Sequence, residues 1–192
     1  MGGGRPPSVA VKKIATLALR DEQAVRDVLC GELGKLYRIA EISPEDFWAR
    51  AQVQWRTSLD AVQLAQIWNE AYLPIPGTFA ILQELRAQYY ALYFLSDNVA
   101  DRVEYLDTLY QFLRNFKAGV FSHLSKKVKP DPRIYGEALA LTGCRAEECV
   151  YIDDKKHLLD PAKELGMHVV HFTDPETLRV ELGRLGVRLD VP

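Results

Sequence analysis

Cysteine is scarce in this sequence: Cys30, Cys144 and Cys149 are its three cysteines among 192 residues. They cannot form an even set of disulfides, and no two of them have the C-x-x-C spacing that is typical of zinc sites. A secreted domain held together by disulfides and a cysteine-rich zinc module are therefore both excluded. We expect a chain that folds in a reducing compartment, the cytoplasm.

Long apolar runs are also absent. No stretch approaches the roughly twenty apolar residues that are needed to cross a bilayer. Residues 1–8 contain three glycines and two prolines and lack the apolar core of a signal peptide. We therefore expect no membrane partner, and a flexible tail over residues 1–8.

The chain has little net charge, because 24 basic and 26 acidic residues give a formal charge of -2. Such a balance creates no field that would attract nucleic acid or an acidic membrane surface. The hydrophobic share of 48% is enough to bury one core in a chain of this length. We expect one domain with an inserted lobe, and a small molecule as its partner.

The first third of the chain has the periodicity of helices. Ser43 followed by Pro44 and two acids is typical of a helix N-terminus, with the serine as N-cap. We predict an all-helical lobe over residues 9–73. Its last helix is indicated by apolar residues at the spacing of a single helix face, namely Leu64, Ile67, Trp68 and Tyr72.

After residue 73 the pattern changes to short apolar runs that alternate with amphipathic segments. This alternation is typical of a parallel sheet flanked by helices. We therefore predict an α/β, Rossmann-like core over residues 74–192. Its four predicted strands are Ala91–Leu95, Gly119–Phe121, Val150–Ile152 and His168–Phe172.

Polar residues follow three of these predicted strands, and in an open parallel sheet ligands bind beyond the carboxyl ends of the strands. Ser96 and Asp97 follow the first strand, and Lys129 lies in the loop after the second. Asp153 and Asp154 follow the third. We expect these five residues to gather at one edge of the sheet.

Two adjacent acids after a buried strand repel each other unless a cation holds them. Mg²⁺ would serve, since it takes hard oxygen ligands and is bound by one or two carboxylates together with water and substrate phosphate. Ser96 and Lys129 would then hold the remaining phosphate oxygens, the first through its hydroxyl and the second through its charge. The set predicts phosphoryl transfer from a small phosphorylated metabolite.

The same residues, in the same order, resemble the haloacid dehalogenase (HAD) superfamily. Phe94-Leu-Ser-Asp-Asn98 is similar to its second motif, Lys129-Pro-Asp-Pro-Arg-Ile-Tyr135 to its third, and Val150-Tyr-Ile-Asp-Asp154 to its fourth. The most specific part of the resemblance is the string Lys129-Pro-Asp-Pro132, which is followed about twenty residues later by a strand and a pair of acids. The resemblance covers residues 25–186 and implies the phosphatase branch of the superfamily, in which a helical cap corresponds to the predicted lobe.

The resemblance also implies a mechanism, in which an aspartate at the end of the first strand attacks phosphorus and water hydrolyses the aspartyl-phosphate. Asp154 would bind Mg²⁺ directly, and Asp153 would bind it through water or support the other acid. Ser96 and Lys129 would be the catalytic residues that stabilise the phosphoryl oxygens, with Asp97 beside them in the phosphate site.

The nucleophile itself is missing from the pattern. The first motif of the superfamily is an apolar strand that ends in Asp-x-Asp, and residues 14–25 imitate it only faintly, through Asp21. The apolar spacing there favours a helix, so Asp21 is a weak candidate. We expect the central first strand to be absent, which would leave two neighbouring strands with unpaired edges and favour a homo-oligomer formed through such an edge.

Three explanations stay open: the natural chain begins earlier, the fold has been rebuilt, or a partner supplies the strand. The first functional hypothesis is a Mg²⁺-dependent phosphatase scaffold with little activity in this chain. The alternative is a non-catalytic protein that binds phosphate or metal, or regulates. A 2-haloacid dehalogenase is the weaker alternative, because halide displacement at carbon needs no metal and would leave the acid pair without a purpose.

Overall fold

The computed structural model describes residues 8–189. Its first part is helical throughout, as predicted. The predicted flexible tail lies outside the described residues except for Ser8, which begins the first helix. The five helices are α1 (Ser8–Ala18), α2 (Glu22–Cys30), α3 (Glu32–Arg38), α4 (Pro44–Trp55) and α5 (Ala61–Glu70).

Side-chain caps explain where these helices begin. The Ser43 hydroxyl accepts the N–H of Asp46 at 3.1 Å, with Pro44 in the first turn, which confirms the predicted start of α4. Asp21 caps α2 by accepting the N–H of Ala24 at 2.7 Å. The stretch that faintly imitates a first strand therefore forms the end of α1 and the beginning of α2.

Large aromatic side chains fill the core of the helical lobe. Trp48 and Trp55 are each 1% exposed, and Trp68 packs edge-on against Trp48 with the ring centroids 6.4 Å apart. Burying such large rings removes much apolar surface from water, which stabilises the lobe. The apolar faces of α1, α2, α4 and α5 meet around these rings.

The second part of the chain alternates helices and strands, and the four strands agree with the predictions to within two residues. Within the described residues no helix is long and apolar enough to cross a bilayer. The elements in chain order are α6 (Pro76–Ala87), β1 (Tyr93–Ser96), α7 (Ala100–Tyr110), β2 (Ala118–Phe121), α8 (Ser122–Ser125), α9 (Pro132–Thr142), β3 (Val150–Asp153), α10 (Asp160–Glu164), β4 (His168–His171) and α11 (Pro175–Arg184).

The strands form two parallel pairs between two layers of helices. β1 pairs with β2 and β3 pairs with β4, and over residues 8–189 these pairs are separate two-stranded sheets. Ile134 of α9 and Ala162 of α10 are fully buried on one face of the strands. Ile81 of α6 and Leu178 of α11 are buried on the other face. The result is a three-layer α/β/α arrangement of the Rossmann-like class.

Both β1 and β3 have one edge that no described strand pairs with. The carbonyl oxygens of Cys149, just before β3, and of Asp153, at its end, accept the N–H groups of His168 and Phe172 at 3.0 and 2.9 Å. Because backbone groups alternate in direction along a strand, those of Val150 and Ile152 face the opposite edge. Ile152 is 36% exposed, although interior strands of such a sandwich are normally buried on both faces.

Candidate active site

Lys129 connects the carboxyl ends of β1 and β3. Its Nζ atom lies 2.6 Å from Oδ2 of Asp153 and 3.5 Å from the Leu95 carbonyl oxygen on the open edge of β1. Its backbone N–H donates to Oδ1 of Asp97 at 3.0 Å. The structure thus brings together Asp97, Lys129 and Asp153, three of the residues predicted to form a site.

The Lys129–Asp153 ion pair is almost completely buried, with side chains 3% and 6% exposed. The Tyr151 hydroxyl donates to the same oxygen of Asp153 at 2.9 Å, and the N–H of Lys155 donates to the other at 2.9 Å. Burial acts to raise the pKa of Asp153, but the Lys129 ammonium and these donors outweigh it and hold the pKa below its usual range. Asp153 is therefore an ionised partner of the lysine.

Asp97 is a second buried carboxyl group, and the opposing influences on its pKa have a different outcome from those on Asp153. Burial raises the pKa of Asp97, and the opposing influence of the Lys129 backbone N–H and ammonium is smaller. The loop that carries it is held in place, because the Asn98 carbonyl oxygen lies 2.8 Å from Nδ1 of His123. This environment favours the protonated form of Asp97 more than the environment of Asp153 does.

Ser96 and Asp154 are the predicted site residues whose side chains stay open. Within residues 8–189 neither the Ser96 hydroxyl nor the Asp154 carboxylate makes a hydrogen bond to the protein. Ser96 ends β1 and is half-buried, whereas Asp154 follows β3 and is exposed. Both groups lie beyond the carboxyl ends of strands and can accept a ligand there.

The oxygen donors present fit a hard divalent cation only in part. No group of three or more histidine, cysteine or acidic side chains in the described part of the chain could hold a metal ion. Asp154 has a carboxylate to offer, but both oxygens of Asp153 already accept hydrogen bonds. Since Lys129 offsets the charge of Asp153, the acid pair does not by itself require a metal. Sequence reasoning had treated a bound cation as the natural explanation of the pair.

Asp21 lies apart from this cluster. Its carboxylate caps α2 at the protein surface. No hydrogen bond or ion pair among residues 8–189 joins Asp21 to Ser96, Lys129 or Asp153.

Sequence reasoning missed two arginines that lie where the helical lobe meets the loop after β1. Arg102 donates to Oδ1 of Asn98 at 2.6 Å and to the Tyr72 hydroxyl at 2.9 Å. Its guanidinium also lies over the rings of Trp68 and Tyr72, 5.0 and 4.3 Å from the centroids. A cation in the first turn of α7 is unfavourable for the helix dipole, and that was the available sequence signal.

Arg38 is the second of these arginines and comes at the end of α3. Its Nη1 atom donates to the Leu29 carbonyl oxygen at 2.9 Å, and its own carbonyl oxygen accepts the Ser122 hydroxyl at 2.8 Å. Burial lowers the pKa of Arg38, although Asp97 partly opposes the shift. Arg38, Asp97 and Arg102 line a small cavity of about 30 Å³ between the lobe and β1.

The proteins that are similar to this chain in sequence include two whose names state an activity. A chloroplast flavin mononucleotide hydrolase of Arabidopsis thaliana is 34% identical over 71 residues, which are 37% of this chain and 29% of that protein. The chain therefore spans less than a third of that relative. A sesquiterpene phosphatase of Aspergillus oryzae is 28% identical over 161 residues, or 82% of this chain and 81% of the relative.

Solved structures show the same fold. A HAD family enzyme of Bacteroides thetaiotaomicron, in complex with magnesium, superposes with a TM-score of 0.76 at 18% identity, covering 88% of this chain and 87% of that one. A predicted HAD-like hydrolase of Porphyromonas gingivalis gives a TM-score of 0.78 at 21% identity, covering 94% and 90%. The family model described as haloacid dehalogenase-like hydrolase matches residues 32–172. The chain therefore belongs to the haloacid dehalogenase-like hydrolase family.

Proposed function

We propose that this chain is a Mg²⁺-dependent phosphatase scaffold that binds a small phosphorylated metabolite beyond the carboxyl ends of β1 and β3. The observation that supports it best is the buried Lys129–Asp153 pair with the open Ser96 hydroxyl and Asp154 carboxylate at the same strand ends. A fixed cation with a hydroxyl donor nearby suits three phosphoryl oxygens. Two of the similar proteins, the flavin mononucleotide hydrolase and the sesquiterpene phosphatase, are hydrolases of phosphate esters by name.

Each polar residue has a distinct part in this proposal. Ser96 donates a hydrogen bond to a phosphoryl oxygen, and the Lys129 ammonium supplies positive charge that Asp153 keeps in position. Asp97 fixes the Lys129 backbone through its accepted hydrogen bond. Asp154 would hold Mg²⁺ directly, with Asp153 as its support. When bound, the ion neutralises phosphate charge and orients the phosphoryl group.

The attacking carboxylate is the part that residues 8–189 do not place at this site. The open edges of β1 and β3 lie on either side of Lys129, and a parallel strand between them would hydrogen-bond to both. We infer that the nucleophile belongs on such a strand and that the described part of the chain is a binding scaffold with little turnover of its own. A homo-oligomer formed through these edges, in the cytoplasm, is part of the same proposal.

The test measures binding and turnover separately. Inorganic phosphate is titrated into the purified chain by calorimetry with and without Mg²⁺, and hydrolysis of p-nitrophenyl phosphate is followed under the same conditions. Ser96→Ala and Asp154→Asn are the test variants. Glu147→Gln is the control, since Glu147 lies in an exposed ion pair with Arg145. We expect Mg²⁺-dependent phosphate binding that Asp154→Asn removes and Ser96→Ala weakens about tenfold, with little hydrolysis.

The other outcomes separate the alternatives. Mg²⁺-dependent hydrolysis that Asp154→Asn abolishes would show that a nucleophile is present and would overturn the inference of a scaffold. Phosphate binding without any effect of Mg²⁺ would favour a non-catalytic binding or regulatory protein. Metal-independent release of chloride from 2-chloropropionate would favour the dehalogenase. A folded protein that binds neither phosphate nor Mg²⁺ would refute the proposal.

A further inference from the structure

The cavity between the helical lobe and β1 is lined by two arginines with different surroundings. It also contains Asp97, so it adjoins the proposed phosphate site, and the aromatic rings of Tyr37, Phe47, Trp68 and Tyr72 form much of its wall. A largely apolar pocket with a few charged groups beside a phosphate site is where the non-reacting part of a substrate would lie.

Arg102 has more partners in the protein than Arg38 has. Asn98 and the Tyr72 hydroxyl accept hydrogen bonds from its guanidinium, and the faces of Trp68 and Tyr72 stack against it. Its side chain is part of the wall that joins the lobe to α7. These contacts offset part of the cost of burying its charge.

Arg38 has no such set of partners. Within residues 8–189 the Leu29 carbonyl oxygen is the one acceptor for its guanidinium, and it forms no ion pair. A guanidinium carries five N–H donors in a planar fork that matches two oxygens of a carboxylate or phosphate. A half-buried arginine that forms no ion pair with another described residue is therefore available to an anion that enters the cavity.

We propose that Arg38 binds a second anionic group on the substrate, a carboxylate or a phosphate attached to the leaving portion. The inference rests on the proposed function, because it assumes that the transferred phosphate lies at Ser96 and Lys129. The cavity of about 30 Å³ has room for about two water-sized groups, which favours a carboxylate on a small phosphomonoester.

The experiment compares three probes on the full chain in Mg²⁺. Phosphoglycolate and ethyl phosphate share a phosphate and are similar in size, but only the first has a carboxylate, and inorganic phosphate has no leaving portion at all. Dissociation constants are measured by calorimetry for the unchanged chain, Arg38→Gln and Arg38→Lys. Arg50→Gln is the control, because Arg50 is an exposed arginine of the same lobe and loses the same charge.

We expect phosphoglycolate to bind at least about tenfold more tightly than ethyl phosphate. Arg38→Gln should abolish this preference while leaving the constants for ethyl phosphate and inorganic phosphate unchanged. Arg38→Lys should restore it only in part, since an ammonium cannot donate as a fork. The control should keep the full preference.

Two results would overturn the inference. Equal binding of phosphoglycolate and ethyl phosphate by the unchanged chain would show that no second anion is recognised. If Arg38→Gln weakens the binding of all three probes equally, Arg38 contacts the transferred phosphate instead. If inorganic phosphate does not bind the unchanged chain at all, the proposed function itself fails, and that result is distinct from the other two.

Discussion

Nζ of Lys129 lies 2.6 Å from Oδ2 of Asp153, and both side chains are withdrawn from solvent. Removing the negative partner would leave a buried ammonium without compensation. We expect Asp153→Asn to lower the free energy of unfolding by about 3 kcal/mol or more, as measured by urea denaturation. Asp154→Asn should change it by less than about 0.5 kcal/mol, because Asp154 is exposed.

The double variant Lys129→Met with Asp153→Leu separates burial of an unpaired charge from loss of packing. It removes both charges and keeps apolar volume, so it should recover much of the stability that Asp153→Asn loses. If the double variant is as unstable as Asp153→Asn, the unpaired charge of Lys129 is not the cause of the lost stability. Glu147→Gln, in an exposed pair with side chains 71% and 63% exposed, should show no loss.

Local rules were enough to predict most of the elements, but not the pairing of their side chains. The start of α4 at Ser43 and the strand Val150–Ile152 follow from capping and apolar runs within a few residues. The contact between Lys129 and Asp153 depends on how the loop after β2 folds back across β1. Arg102 and Tyr72 are separated by thirty positions and meet only because α7 packs against α5. The periodicity of apolar residues contains no information on such contacts between side chains that are distant in sequence.

The environment of Asp97 predicts a pH dependence. Burial raises its pKa above that of the unfolded chain, so its contribution to stability is complete at pH values below the unfolded pKa and is lost as pH rises through the folded pKa. Asp97→Asn keeps an oxygen for the Lys129 N–H and cannot ionise.

Urea denaturation of both proteins from about pH 4 to 8 checks this expectation. The stability of the unchanged chain relative to Asp97→Asn should fall with rising pH and then level off. A constant difference across the range would show that Asp97 has an ordinary pKa. Asp153 is present in both proteins, so its own loss of stability at acid pH cancels in the comparison.

Arg102 is a polar link between the helical lobe and α7, in addition to the hydrogen bond that the Tyr37 hydroxyl donates to Asp101. Arg102→Ala removes two hydrogen bonds and the stacking on Trp68 and Tyr72, and should cost about 2–4 kcal/mol of stability. Arg102→Lys should not rescue it, because lysine cannot donate to Asn98 and Tyr72 while lying flat on both rings. Melting temperatures with Arg50→Ala as control provide the measurement, and full rescue by lysine would argue for charge alone.

Asp21 offers a test that distinguishes a cap from a nucleophile. Asp21→Ala should cost about 1 kcal/mol because it removes the cap of α2, whereas Asp21→Asn should cost little. Neither change should alter phosphate release or phosphate binding. A loss of phosphate release in Asp21→Asn, with stability unchanged, would contradict the assignment as a cap and would make Asp21 the attacking carboxylate.

The open edge of β3 can be observed by amide hydrogen exchange. Residues whose backbone faces β4, such as Tyr151 and Asp153, should exchange slowly, whereas Val150 and Ile152 face the space beside β1 and should exchange at least about tenfold faster. Because neighbouring residues share one strand, this alternation cannot arise from local unfolding, which would expose all four together. Equal protection along the strand would mean that a further strand, from another copy or another chain, occupies the space in solution. Protection that appears only at high protein concentration would identify a second copy as its source.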